Sequence, residues 1–412
     1  MSGVDELAGL PVGQRVQTIR ERQGKARAIV GGLVGRNEQW LKRVEKGTTR
    51  PTWEDLFRLA DVLGLEHIED LTGDMGTSPM GVLGMGRRVG HDAVPAVREA
   101  IEEMPLAVAD TPPSDPGELA ARAASAWALW HSSSTPRASV GQVLPQLIRD
   151  GRHAARVLEG IPRREAYAAL SGAYALSEQL LAWVADPALL WLAADRCMDA
   201  AMQADDPETL AGAAWVLGNV WRATGREDDA LDLVTDAANL LEPYLNGDSV
   251  NTRALWGACQ LHVSITAARL GREGDALFRL DQANDMAGRL PKAFAHSWTI
   301  FGQANTDLTG VTVHVDLHKG GRALDRVSQV DPDSIPSLDR RARLWLETAR
   351  AYAQKKDYTS TLHVMQRATS ISAESMRSHP LARGIAGELV TSGGRLVASE
   401  ARGLAKVLGL AV

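Results

Sequence analysis

Small residues recur at set intervals through the second half of this 412-residue chain, and they restrict it to pairs of closely packed helices. The clearest stretch runs from Ala211 to Glu242. Gly218 and Ala230 let two antiparallel helices approach closely, and Gly225 permits the turn between them. Gly271, Ala276, Leu280 and Ala283 repeat the offsets. A third copy has Trp345, Ala349, Tyr352 and Ala368, with Lys356 in the place of the turn glycine, and a weaker one surrounds Ala323. Stretches such as Leu119 to Leu129 and Ala211 to Val220 are rich in Ala and Leu with few β-branched alternations, so the fold class expected is all-α.

The positions Leu217, Gly218, Trp221, Gly225, Ala230 and Ala237 resemble a tetratricopeptide repeat (TPR), with Pro243 one residue late. The turns near Gly225, Gly271, Lys319 and Lys356 are about 37 to 48 residues apart, looser than the roughly 34 of a standard repeat. The resemblance implies a degenerate TPR-like α-solenoid over residues 118–412. Ahead of it, residues 73–117 read as a linker. Gly, Pro, Met and Ser dominate up to Arg88, Thr111-Pro112-Pro113-Ser114-Asp115-Pro116 makes a second break, and Val94 to Met104 forms one amphipathic docking helix.

Residues 1–72 have a different character. The net charge of −6 hides +7 between Gly13 and Arg50, which leaves −13 on the rest, so a basic module sits on an acidic body and a polyanion is its expected partner. Helices are expected at Val12–Gln23, with Val16 and Ile19 inward, and at Lys25–Val34, with Ile29, Val30 and Leu33 as the apolar side. A third covers Asn37 to Gly47, and Leu56, Leu59, Ala60 and Leu63 mark a fourth after Thr52-Trp53-Glu54-Asp55. A short fifth helix, Leu65 to Leu71, closes the unit. In the Asn37 stretch, Trp40, Leu41 and Val44 share one arc and Glu38, Gln39, Lys42 and Arg43 the other. Amides and cations are the groups that meet purine edges and phosphates in a major groove.

Gly35 to Gly47, with Arg50-Pro51…Leu56…Leu59-Ala60…Leu63-Gly64, resembles the XRE-type helix-turn-helix of phage repressors and bacterial regulators. That resemblance places the second helix of the motif in the major groove. It implies base contacts from Asn37, Glu38, Gln39 and Lys42 and phosphate contacts from Arg43 and Arg50. The chain departs from the family at Ala26-Arg27, where Ser-Gln is usual. A helix cap worth about 1 kcal/mol is lost, and a cation, Arg27, replaces the glutamine contact. Gly31-Gly32 costs about another 1 kcal/mol per residue relative to Ala. The whole chain is also similar to a two-part actinobacterial regulator family, an XRE head on a TPR-like body. Val34-Gly35-Arg36, Phe301-Gly302-Gln303-Ala304-Asn305, Arg340 to Gln354 and His379-Pro380-Leu381-Ala382-Arg383 carry that likeness. It implies transcription regulation in organisms rich in secondary metabolism and sporulation.

Nothing points to an enzyme or to a bound cofactor. Cys197 and Cys259 are too far apart for a disulfide framework or zinc spacing, and His314 and His318 read as a surface or core pair rather than metal ligands. Gly81 to Gly90 lacks the strand before it and the Lys-Ser/Thr after it that a phosphate loop needs. With no signal peptide and no long apolar run, the expectation is a cytoplasmic protein without membrane association. Of the eleven Trp, Trp221 and Trp345 fall at repeat positions that are normally core. The exposed offsets of each first helix would line the concave wall of a TPR superhelix: Trp215, Asn219, Arg222, Asn305, Arg343 and Arg350. That set suits an acidic peptide or a carboxylate-bearing small molecule. The expected protein is a homodimeric regulator on double-stranded DNA with a sensing body. The alternative is a protein-interaction adaptor with a vestigial helix-turn-helix.

Overall fold

The computed structural model describes residues 10–34, 36–49, 51, 53–65, 71, 89–107 and 110–410. Those residues are helical or irregular, without strand, and contacts divide the chain into two compact units, Met1–Arg87 and Arg88–Val412.

In the first unit α1 (Val12–Arg22), α2 (Arg27–Leu33), α3 (Glu38–Glu45) and α4 (Trp53–Val62) enclose Val16, Val30, Val34, Leu41, Leu59 and Leu63. Most residues of the expected fifth helix lie outside the described residues, as do the turn residue Gly35 and Thr52 of the expected cap. The apolar side of α2 differs from the expectation. Val30 and Val34 point inward, whereas Ile29 and Leu33 are 58 % and 64 % exposed. The cause is the tight α2–α3 turn, which turns Gly31 toward the start of α3: a Cβ there would lie 3.0 Å from the Asn37 carbonyl oxygen. Gly31 is therefore needed by the turn, while Gly32 meets nothing within 4 Å. Ala26 indeed caps α2 without a side-chain bond. A buried ion cluster braces the three helices instead. Glu45, at the end of α3, receives Arg20 Nε (2.6 Å) from α1 and Arg27 Nε (2.5 Å) from α2.

The second unit starts with α5 (Val94–Glu102), α6 (Pro116–Ser132), α7 (Pro136–Gly141) and α8 (Leu144–Val157). The contact division groups the expected docking helix, α5, with the hairpins that follow it. Val97, Ala100 and Ile101 of α5 are buried, and Arg152 of α8 donates to the carbonyls of Ala100, Ile101 and Glu103, closing the C-terminus of α5. Hairpins follow: α9 (Gly160–Leu181) with α10 (Pro187–Ala204), α11 (Pro207–Ala223) with α12 (Glu227–Leu241), and α13 (Val250–Arg269) with α14 (Glu273–Gly288). Then come α15 (Gln303–Asp316) with α16 (Gly320–Val327), α17 (Leu338–Gln354) with α18 (Tyr358–Ile371), the short α19 (Ala373–Ser378), and α20 (Pro380–Ser392) with α21 (Gly394–Val407). Each of four tight turns holds one left-handed residue: Gly225 (φ 82°), Gly271 (φ 73°), His318 (φ 57°) and Lys356 (φ 60°). His318 takes this role beyond the end of α15, so it does not share a helix face with His314.

Two features set the interior of this unit. The connection 289–302 between α14 and α15 runs inward instead of turning back. Trp298 stacks on Trp127 of α6 (5.9 Å between centroids, 12° between planes), and Phe301 is fully buried. Glycines on three successive first helices make the room. A Cβ on Gly172 or Gly212 would sit 3.1 or 2.7 Å from the Trp298 ring, and one on Gly257 2.0 Å from Phe301. The late hairpins also return to the early helices. Glu374 of α19 accepts from the Arg137 (2.7 Å) and Ala138 (3.3 Å) amides at the start of α7, His131 Nδ1 meets Ser337 Oγ (3.1 Å), and Trp183 packs on His379.

Three stability outcomes follow from these contacts, read by denaturant titration of the full chain. Gly32→Ala should stabilise by about 0.5–1 kcal/mol through the unfolded state. Gly13→Ala, whose Cβ would fall 2.2 Å from the Val44 carbonyl oxygen, should cost about 1–3 kcal/mol. Trp298→Ala should cost about 3 kcal/mol, since it empties the space the three glycines leave.

Candidate DNA-contacting face and interior polar site

Helix α3 is built to present its front. Asn37 caps it, accepting from the Trp40 amide at 2.8 Å, and Gly47 leaves it in the left-handed region (φ 72°). Leu41 and Val44 are buried, while Glu38, Gln39, Lys42, Arg43 and Lys46 are all exposed. The amide, cations and carboxylate expected as readers therefore do share one solvent-facing side. Two expected readers stand differently. The Asn37 side-chain oxygen is committed to the cap, and Arg27 is engaged by Glu45, so its guanidinium braces α2 against α3. Arg50 lies outside the described residues. Arg36, not among the expected readers, is exposed beside this face; its Nε pairs with Asp55 (2.9 Å), and its guanidinium lies over the Trp40 ring at 5.7 Å.

The groove residues expected in the second unit fall into two groups. Arg343 and Arg350 come together on α17 around Glu347, which is fully buried: Arg343 Nε lies 2.6 Å from one oxygen and Arg350 Nη1 2.6 Å from the other. Arg350 also grips Asp316 of α15 at 2.6 Å, and Arg269 of α13 approaches the other oxygen at 3.4 Å. Burial alone would raise the Asp316 pKa, but Arg350 and Arg269 hold it below the usual carboxylate value. Arg343 also contacts His379 Nε2, and burial, with Arg343 and Arg350 beside it, keeps that imidazole neutral well below 6.5.

Arg222 and Asn219 on α11 form the second group. Arg222 donates to Asn219 Oδ1 (2.7 Å), Thr266 Oγ1 (3.2 Å) and the His262 carbonyl (3.4 Å), all neutral acceptors. Enclosure by protein, then repulsion from Arg269, pull its pKa down to about 9. Trp215 stands edge-on to His262 at 6.2 Å. Asn305 is only 7 % exposed, so it lies beneath the wall rather than on an open one. Trp221 and Trp345 are half-buried, each under a guanidinium: Arg226 at 4.2 Å and Arg367 at 3.8 Å.

Sequence reasoning missed Arg269, Asp316, Glu347 and His379. The same first-helix spacing would have reached Arg269, which follows His262 and Thr266 on α13, Asp316, which shares the Asn305 face of α15, and Glu347, between Arg343 and Arg350 on α17, but not His379, which lies between α19 and α20. It could not have found Trp298, which belongs to a connection. Cys197 and Cys259 are buried thiols whose pKa burial pushes up to about 12, which leaves them unreactive.

Glu178 of α9 is the charge whose cost is easiest to read. Burial raises its pKa from 4.5 to about 7, with Gln179, Arg222 and Arg137 lowering it only in part. The fold therefore holds a proton that the unfolded chain releases, and stability falls as pH rises from about 4.5 to about 7, by roughly 3 kcal/mol in all. In Glu178→Gln this loss should vanish. Thermal midpoints of variant and parent should lie close together at pH 5 and separate by pH 8, the variant being higher.

Among the described residues no helix is long and apolar enough to cross a membrane. Residues 11–71 match the family model of a helix-turn-helix domain. No curated protein matches the chain. Two solved structures are similar at low identity. One is a Rap protein complexed with competence and sporulation factor, at 11 % identity over 71 % of this chain and 88 % of that one, TM-score 0.45. The other is PlcR of Bacillus thuringiensis in complex with the peptide PapR7 and DNA, at 9 % identity over 86 % and 98 %, TM-score 0.29. Residues 11–71 thus belong to the helix-turn-helix family, and a TPR-like body of stacked helical hairpins follows them in the chain.

Proposed function

We propose that this chain is a dimeric, sequence-specific transcription regulator of the cytoplasm, with residues 1–72 reading double-stranded DNA and the helical body dimerising and receiving an effector. The observation that carries the reading is the front of α3, where Gln39, Lys42, Arg43 and Lys46 are exposed above a buried Leu41–Val44 back on a capped helix. Amides and guanidinium or ammonium groups at this spacing meet base edges and phosphates when such a helix lies in a major groove. A dimer would set two α3 helices about 34 Å apart, in successive grooves of an inverted repeat. The polar interior of the body supports the sensing half of the proposal. Its arginines outnumber its carboxylates, which favours an anionic effector.

Footprinting against genomic fragments tests this. A palindromic protected site is expected, with Gln39→Ala and Lys42→Ala each weakening binding by about 1–3 kcal/mol and the pair abolishing protection. Protection unchanged in the double variant would remove these residues as readers. The adaptor reading draws on the engagement of Arg27 by Glu45 and on the uncapped start of α2. Binding that is weak, salt-sensitive and indifferent to sequence would favour it.

A further inference from the structure

The interior of the second unit holds more positive charge than its carboxylates neutralise. Arg269, Arg343 and Arg350 share Asp316 and Glu347, each carboxylate gripped from two sides. Arg222 is left over. Its three bonds go to neutral oxygens, and it faces Arg269 and Arg343, which repel it. The acids that act on it are Asp316, already gripped by Arg350 and Arg269, and Glu178, whose carboxyl burial pushes up to about 7 so that it is only partly ionised at neutral pH. A largely enclosed guanidinium that pairs directly with no carboxylate is unfavourable unless an anion completes it. Beside it, Trp215, Asn219 and Arg222 follow one face of α11 at helical spacing, and all three keep partial exposure. Ten residues back along the same helix, Gly212 is covered by Trp298, so that level of the interior is already filled.

We propose that Arg222 is the anchor of a site for a single carboxylate, with Asn219 beside it and Trp215 as the apolar platform for the rest of the ligand. The proposal rests on reading the body as the effector-receiving part of a regulator and names the chemistry of that effector. The carboxylate would accept two parallel N–H bonds from the Arg222 guanidinium in place of its present neutral acceptors. A free small acid and the C-terminus of a peptide both offer this group, and a matched pair of probes separates them.

The test uses the full chain with benzoate and N-acetyltryptophan as acids and their neutral amides as controls, at millimolar concentration and constant ionic strength. Saturable rises in thermal midpoint with the acids and not with the amides are expected. A larger response to benzoate indicates a free small acid, and a larger response to N-acetyltryptophan a peptide C-terminus. Arg222→Gln should abolish the rise. Arg269→Gln, which leaves Arg222 in place, should weaken it several-fold and serves if the first variant does not fold. No response to either acid, an equal response in Arg222→Gln, or an equal response to inorganic phosphate would overturn the proposal. DNA binding is measured separately: acid binding that leaves DNA affinity unchanged keeps the site and sinks its role as effector site, whereas lost DNA recognition sinks only the regulator reading.

Discussion

Trp298 lies against two glycines, Gly172 and Gly212, and stacks on Trp127, and the second unit depends on that contact. Stacked helical hairpins bury the faces between neighbours well, but their first helices leave an axis that must be filled or wetted. Here the connection 289–302 fills one level of it with aromatic side chains, and first-helix residues such as Arg222, Arg269, Asp316 and Glu347 line another. The small residues that let the segment enter do not serve hairpin packing. They serve an insertion, which is why a glycine on each of α9, α11 and α13 has a ring against it.

The polar level obeys a different constraint. Asp316 and Glu347 are buried, and each is acceptable only because two guanidinium groups approach it. This network joins α13, α15 and α17 more specifically than apolar packing would, because a slipped helix would strand a charge. Glu374 serves a similar purpose where the last hairpins meet the first helices, closing the free end of α7 with a carboxylate. Burial would raise its pKa, but His91 and the Arg137 and Ala138 amides hold it lowered.

In the first unit the ion cluster Arg20–Glu45–Arg27 has the corresponding place. Helix α2 lacks a side-chain cap, yet its first residue is tied to the last residue of α3. The departure from the usual sequence at Ala26-Arg27 thus exchanges a capping bond for a tertiary ion pair. The front of α3 is left clear by this arrangement, since the cation that could have joined it is turned to the back.

The sequence by itself determined the helices and much of their order. Asn37 and Gly47 bound α3, the apolar arc fixed which side of it is buried, and Gly225 and Gly271 marked two turns. All of these are local properties, set by backbone conformation and helical period. Tertiary structure decided what those signals do not contain. Whether Gly31 is a cost or a necessity depends on how near the Asn37 carbonyl comes. Val30 and Val34, not Ile29 and Leu33, face the core because a seven-residue helix turns its interior side to a neighbour its own sequence does not name. Arg343 and Arg350 could be placed on one face by spacing. Glu347 sits between them on the same helix, but that Asp316 would also grip Arg350, with Arg222 left to neutral acceptors, required the approach of helices more than thirty residues apart in the chain.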